Sequence, residues 1–227
     1  MRVDVSAYLV VGRENTNARP VARIVEDAVR AGFTCVQIRS KTASALEMLE
    51  DCRESAEAIA RLGKSGEVAL LVDDRLDIVL AARDMGIKVD GLHVGQSDIP
   101  VQICRKILGR DAVIGLSAPT RDLVGYVQNA DVSLIDYFGA GPVHETATKP
   151  DCGMDESGRV ITKTFEELAE LGKKSPVPVV VGGGVKLNDI APLKRTGVGG
   201  FFVVSAVAGA ENPYEEARKL TEAWHRG

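Results

Sequence analysis

Two apolar runs near the C-terminus end in residues suited to holding an anion: 177–181 leads into Gly182, Gly183 and Gly184, and 201–204 ends at Ser205. Backbone N–H groups approach a phosphate closely only where no side chain stands in front of them, and a following helix adds its positive end. A second set of polar residues closes the other apolar runs. Gln37-Ile38-Arg39-Ser40-Lys41 alternates so that Gln37, Arg39 and Lys41 share one face of an extended segment. Asp73-Asp74-Arg75, His93 with Gly95-Gln96-Ser97-Asp98, Ser117, and the segment from Gly139 to Lys149 follow in turn. Arg39, Lys41 and Lys149 suit an anion, whereas Asp74 and Asp98 suit a hard cation. Two carboxylates completed by phosphate oxygens are a usual setting for Mg²⁺, which keeps waters and seldom has an all-protein cage. A diphosphate ligand satisfies both sets.

Each residue also has a purely structural reading. Arg39 and Asp74 could form an ion pair, Asp73 could cap a helix, and Asp98 could begin the helical pattern at 101–108. His93, in an apolar strand, reads as a hydrogen-bonded core histidine ahead of a catalytic one; His144 stays open and His225 reads as solvated surface. Cys35, Cys52, Cys104 and Cys152 show no CxxC pairing, and buried free thiols are expected rather than a metal site or disulfides.

The elements that must position these residues alternate along the whole chain. Strand patterns fall at 8–11, 35–39, 68–72, 91–94, 113–116, 132–136, 177–181 and 201–204. Between them lie helical patterns such as Val21, Ile24, Val25, Ala28 and Val29, whose three-and-four spacing makes one apolar stripe. Ser44 with Glu47 and Thr164 with Glu167 have capping-box spacing, and Asn212-Pro213 with Glu215 marks another helix start. Strict alternation implies a parallel sheet with right-handed crossovers, and eight units favour a closed α/β fold, a (β/α)8 TIM barrel forming one domain over residues 1–227. A doubly wound open sheet is the alternative, but Gly12-Arg13-Glu14-Asn15 after the first strand lacks its glycine signature. In such a barrel the polar strand ends form one rim. The long polar connection 138–163 is unusual inside a compact domain and reads as either mobile or functional.

The chain has 227 residues, 45% hydrophobic and 26% charged, as expected of a globular protein with one large core. Its 28 basic and 32 acidic residues give a net charge of -4 without a basic block, which argues against nucleic acid and leaves any anion to local groups. No apolar run approaches the roughly 20 residues of a membrane span, and residues 1–7 lack the core of a secretory signal. A cytoplasmic protein with small-molecule substrates and no membrane partner is expected; a homo-oligomer is compatible with the sequence but not read from it.

Taken together, these segments resemble thiamine-phosphate synthase, also called thiamine-phosphate pyrophosphorylase. The resemblance rests on Gln37 through Lys41, Asp73-Asp74-Arg75, Gly91 through Asp98, Ile114 through Ser117, Gly141-Pro142-Val143 with Thr146-Ala147-Thr148-Lys149, the glycine cluster and Val203 through Ala206, in that order. It implies a transferase that joins a hydroxymethylpyrimidine diphosphate to a thiazole phosphate, releasing diphosphate. It also implies that Gln37, Ile38, Arg39, Ser40, Lys41, Asp73, Ser117 and Lys149 bind the pyrimidine diphosphate and that Asp74 and Asp98 hold Mg²⁺. Thr146, Ala147, Thr148, Gly184, Val204 and Ser205 would bind the thiazole phosphate, with Arg39, Lys41, Ser117 and Lys149 acting in catalysis.

The chain departs from the family pattern in three places. Asp73 stands where the family usually has asparagine, His144-Glu145 replaces an aromatic-proline pair, and 152–159 looks like an added polar segment. Two other functions fit the same barrel. A related thiazole tautomerase would not need the metal pair, and a non-catalytic phosphate-binding barrel would need neither substrate pair nor metal.

Overall fold

In the computed structural model, residues 3–145 and 160–227 are described. The readings made for Thr146, Ala147, Thr148, Lys149, Cys152 and the segment 152–159 lie outside them. Eight parallel strands close into a barrel in chain order. They are β1 (Ala7–Val11), β2 (Cys35–Ile38), β3 (Ala69–Asp73), β4 (Gly91–Val94), β5 (Val113–Ser117), β6 (Tyr137–Ala140), β7 (Val179–Val181) and β8 (Gly200–Val203). Closure is explicit in the pairing of β1 with both β2 and β8. The fold is therefore the (β/α)8 barrel expected from the alternation.

Helices α1 (Val21–Arg30), α2 (Ala45–Arg61), α3 (Leu76–Asp84), α4 (Val101–Leu108), α5 (Leu123–Asn129), α6 (Phe165–Lys174) and α7 (Leu187–Arg195) cross between successive strands. After β8 come a short α8 (Ser205–Ala208) and the longer α9 (Pro213–Arg226). The start signals act as their chemistry requires. The Ser44 and Thr164 side chains accept from the backbone N–H groups of Glu47 and Glu167, each glutamate returning a bond to its cap, and Asn212 accepts from Glu215. On α1 the stripe Val21, Ile24, Val25 and Ala28 is buried against the sheet.

Alternation along the strands divides the core in two. Residues such as Leu9, Val36, Ile38, Leu70, Val72 and Leu92 point outward and pack under the helices. Val5, Tyr8, Val10, Cys35, Leu71, Val113, Tyr137 and Val180 fill the barrel interior. Cys35, Cys52 and Cys104 are buried free thiols, as expected.

The expected strand at 132–136 is a correction. Val132–Leu134 is a 3-10 turn whose entry Asp131 accepts a bond from Ser133 N–H, and the strand begins only at Tyr137. The β-branched character of 132–135 suggested a strand, but the local aspartate turn satisfies the backbone there first. The other strands lie where expected to within a residue or two at each end.

Candidate active site

The polar strand ends converge on one cavity of about 620 Å³ at the C-terminal mouth of the barrel. Its walls include Gln37, Arg39, Lys41, Asp73, Asp74, Asp98 and Ser117 on one side and Gly184, Val204 and Ser205 on the other. Eight strands ending at one rim bring together residues that are far apart in the chain. Two of the expected contacts face elsewhere. Ile38 is fully buried in the core between sheet and helices, and the Ser40 hydroxyl donates to Glu14 Oε1 at 2.5 Å.

Charge on the first wall is paired. Arg39 Nε lies 3.1 Å from Asp73 Oδ2, and Lys41 Nζ lies 3.6 Å from Asp73 Oδ2 and 2.8 Å from Asp74 Oδ2. The ion pair considered for Arg39 and Asp74 is therefore made by Arg39 and Asp73, with Asp74 taking Lys41. Burial would lower the Lys41 ammonium, but the bond to Asp74 and the nearby Asp73 charge raise it overall, so the group stays protonated.

Asp73 does not cap the next helix: α3 has Arg75 at its N-cap position, with no capping bond from that side chain. Nor does Asp98 start α4, which begins after Pro100; its Oδ2 instead accepts from Gly95 N–H at 2.7 Å. A side chain at position 95 would crowd that carboxylate, since a β-carbon there would lie 2.8 Å from Asp98 Oδ2.

Asp74 sits in the left-handed region at φ 59°, and its N–H donates to the His93 carbonyl at 2.8 Å. Aspartate tolerates that backbone better than most residues, and the turn aims its carboxylate along the rim. Asp74 and Asp98 lie close enough along the rim for each to shift the titration of the other. Burial pushes the Asp74 carboxyl up, but its bond to Lys41 and its interaction with Asp98 outweigh this and hold it below the usual range. Burial and the Asp74 charge leave Asp98 above it. Two neighbouring carboxyl groups in a cationic rim are a donor set that a hard divalent cation fits, with oxygen ligands from the substrate completing it. No group of three or more metal-binding side chains occurs among the described residues.

The glycine loop has a structural role besides its openness. Gly183 and Gly184 have φ of 84° and 71°, and a β-carbon at Gly184 would meet His144 Cβ at 2.9 Å. Gly182 makes room for the Phe202 ring, while the Gly183 carbonyl accepts from the N–H groups of Val143 and His144, each at 3.0 Å. His144 Nε2 also lies 2.9 Å from Asp189 Oδ2 on α7, so the loop after β6 is fastened to the one after β7. Exposed Ser205 begins α8 beside them.

One further residue at the rim escaped the sequence reading. Glu14, just after β1, accepts from Ser40 Oγ at 2.5 Å, Lys41 N–H at 2.8 Å and Thr42 Oγ1 at 3.1 Å, and so shapes the turn that carries Lys41. Its position at a strand end was the available signal. His93 is hydrogen-bonded through both ring nitrogens, as expected of a core histidine, and it also lines the cavity. His225 is exposed at the end of α9.

Fold and cavity define a class: a (β/α)8 barrel with a glycine loop and a serine on one wall of its mouth and paired cations and carboxylates on the other. A family model described as thiamine monophosphate synthase matches residues 7–207, and the chain belongs to that family of transferases. It is 35% identical to thiamine-phosphate synthase of Syntrophomonas wolfei over 98% of both chains, and 37% identical to that of Corynebacterium efficiens over 99% of this chain and 97% of the other. Thiamine phosphate pyrophosphorylase from Pyrococcus furiosus superposes with a TM-score of 0.79 at 25% identity, covering 99% of this chain and 98% of that one. No helix among the described residues is long and apolar enough to cross a membrane.

Proposed function

We propose that the protein joins 4-amino-2-methyl-5-(diphosphooxymethyl)pyrimidine to 4-methyl-5-(2-phosphooxyethyl)thiazole in a Mg²⁺-dependent reaction, forming thiamine phosphate and diphosphate in the cytoplasm. The observation that supports this most directly is the division of one cavity into a cation-and-carboxylate wall and a glycine-and-serine wall. A substrate with a leaving diphosphate needs the first, and one with a positioning monophosphate needs the second.

In this reading the pyrimidine lies near Gln37 and Ser117, with its diphosphate toward Arg39 and Lys41. Asp74 and Asp98 would hold Mg²⁺, which when bound neutralises charge on the diphosphate. As the carbon–oxygen bond at the pyrimidine methylene breaks, both bonding electrons leave with the diphosphate, and the electron-rich aminopyrimidine supports the cation. Arg39 and Lys41 stabilise the developing negative charge. Gly184, Val204 and Ser205 hold the thiazole phosphate so that the ring nitrogen, rather than water, donates the pair that forms the new carbon–nitrogen bond. Thr146, Ala147, Thr148 and Lys149 keep the roles that the family resemblance implies. No covalent enzyme intermediate is required.

Mixing both substrates with the protein and Mg²⁺ tests the reading through diphosphate release and product mass. Release that requires all four components is expected; no release under those conditions overturns it.

A further inference from the structure

Inside the barrel, below the charged rim, a chain of polar side chains runs from β2 to β5. Gln37 Nε2 donates to the Tyr8 hydroxyl at 2.8 Å, the Tyr8 and Tyr137 hydroxyls are 2.8 Å apart, and Tyr137 is 3.0 Å from His93 Nδ1. His93 Nε2 then lies 2.8 Å from Ser117 Oγ. Both tyrosines are buried, and so is Gln37.

The barrel makes room for this chain with glycines. In register, Gly115 lies between His93 and Tyr137, and Gly139 lies opposite Ser117. A β-carbon at Gly115 would come within 2.2 Å of Tyr137 Cζ and 2.5 Å of His93 Nδ1, and one at Gly139 within 2.9 Å of His93 Cε1. Two strand glycines, each costly to a sheet, are thus explained by the rings that lie over them. Burial raises both phenols well above their ordinary range, so each carries one hydrogen to give.

We propose that this chain is directed, fixing His93 with its hydrogen on Nε2 and leaving the Ser117 hydroxyl to donate into the cavity, so that Tyr8, Tyr137 and His93 are positioning residues for the pyrimidine substrate. The direction follows from counting hydrogens. Gln37 supplies one to Tyr8, so the Tyr8 hydrogen goes to Tyr137 and the Tyr137 hydrogen goes to Nδ1. Nε2 must then carry the imidazole hydrogen and donate it to Ser117 Oγ, whose own hydrogen is left for a ligand. The opposite direction would place two donors on Tyr8 and send its hydrogen to the Cys35 thiol, a weak acceptor with which it also interacts. The Ser117 main chain is fixed separately, because its carbonyl accepts from Gln96 Nε2 at 2.7 Å. Only the hydroxyl is set by the chain.

This inference rests on the proposed seat of the pyrimidine at Ser117, and its tests separate the two. Imidazole nitrogen-15 spectra of the free enzyme report the His93 tautomer without any substrate. The Nε2–H form is expected, and Gln37→Glu, which replaces the donor to Tyr8 by an acceptor, should convert it to Nδ1–H. An Nδ1–H form in the unaltered protein overturns the direction.

Kinetics test its use. Tyr137→Phe should lower kcat/KM for the pyrimidine diphosphate about tenfold, the scale of one hydrogen bond, with the KM for the thiazole phosphate unchanged. Because Tyr137 acts through Ser117, the same change made on Ser117→Ala should add little further loss. Fully additive losses, or equal losses for both substrates, overturn the positioning role. If Ser117→Ala alone leaves the pyrimidine kinetics unchanged, it is the seat of the pyrimidine that fails, while the tautomer still decides the direction.

Discussion

Asp73 Oδ2 holds the Arg39 guanidinium at 3.1 Å, with the two side chains only 11% and 17% exposed, so the main cation of the rim is already paired before any anion arrives. A diphosphate entering this wall must compete with a fixed carboxylate and also tolerate its charge. Asp73→Asn keeps the shape and can still accept a hydrogen bond while removing the charge. The variant should bind the pyrimidine diphosphate about fivefold more tightly, the equivalent of about 1 kcal/mol. It should also lose about 1–2 kcal/mol of stability, because a partly buried cation loses its partner. Steady-state KM values and urea unfolding check the two effects, and a higher KM would show that Asp73 helps to hold substrate or metal.

Asp74 and Asp98 both line the cavity, and Lys41 neutralises Asp74 at 2.8 Å. Removing the Asp74 carboxyl takes away one of the two carboxylates proposed to hold Mg²⁺ but leaves the opposite wall intact. Asp74→Ala should therefore abolish Mg²⁺-dependent turnover, by about a thousandfold or more given what such charge stabilisation contributes. Calorimetry should still detect the thiazole phosphate at near its original affinity. Equal loss of thiazole binding would contradict the division of the cavity into two walls.

Ser205 and the glycine loop carry the complementary prediction. Ser205→Ala should raise the KM for the thiazole phosphate about tenfold, the scale of a hydrogen bond to a charged group, and change that for the pyrimidine diphosphate little. Gly184→Ala should be worse in a different way. It places a side chain at φ 71° and 2.9 Å from His144 Cβ, so both stability and thiazole binding should fall. A KM effect of Ser205→Ala confined to the pyrimidine would place the wrong ligand on this wall.

What the sequence made legible was local in character. Apolar periodicity and the caps at Ser44, Thr164 and Asn212 place α2, α6 and α9, and the strand ends then put Arg39, Lys41, Asp74, Asp98, Ser117 and Ser205 at one mouth. What was not legible depends on contacts across the barrel. Tyr8 and Tyr137 are separated by 129 positions, and only closure brings their hydroxyls together. Partner choice among close charges was similarly hidden: Asp73 and Asp74 are adjacent in the chain, yet the left-handed turn at Asp74 gives Arg39 to the first and directs Lys41 to the second. The shift of β6 to Tyr137 has a local cause, the Asp131 turn, which overrides the β-propensity of residues whose composition suggests a strand.

Glu14 gives the pH prediction. Burial pushes its carboxyl up, but bonds from the Ser40 hydroxyl, its own backbone, Lys41 N–H and the Thr42 hydroxyl outweigh this and lower it from the ordinary 4.5 to about 2. A carboxyl whose folded value is depressed stabilises the fold fully above its unfolded value, and the contribution fades as pH falls from 4.5 toward 2. The bonds it makes are to the turn that carries Lys41, so loss of the charge should loosen that turn as well as the fold. Glu14→Gln should thus flatten the acid limb of the stability curve through that window, lowering stability near neutrality while converging with the unaltered protein at the acid end. Because the carboxylate is partly exposed, the difference near neutrality should be about 1 kcal/mol or less. Unfolding midpoints measured across the window check this, and parallel curves for the two proteins would show that Glu14 is not held by these bonds in solution.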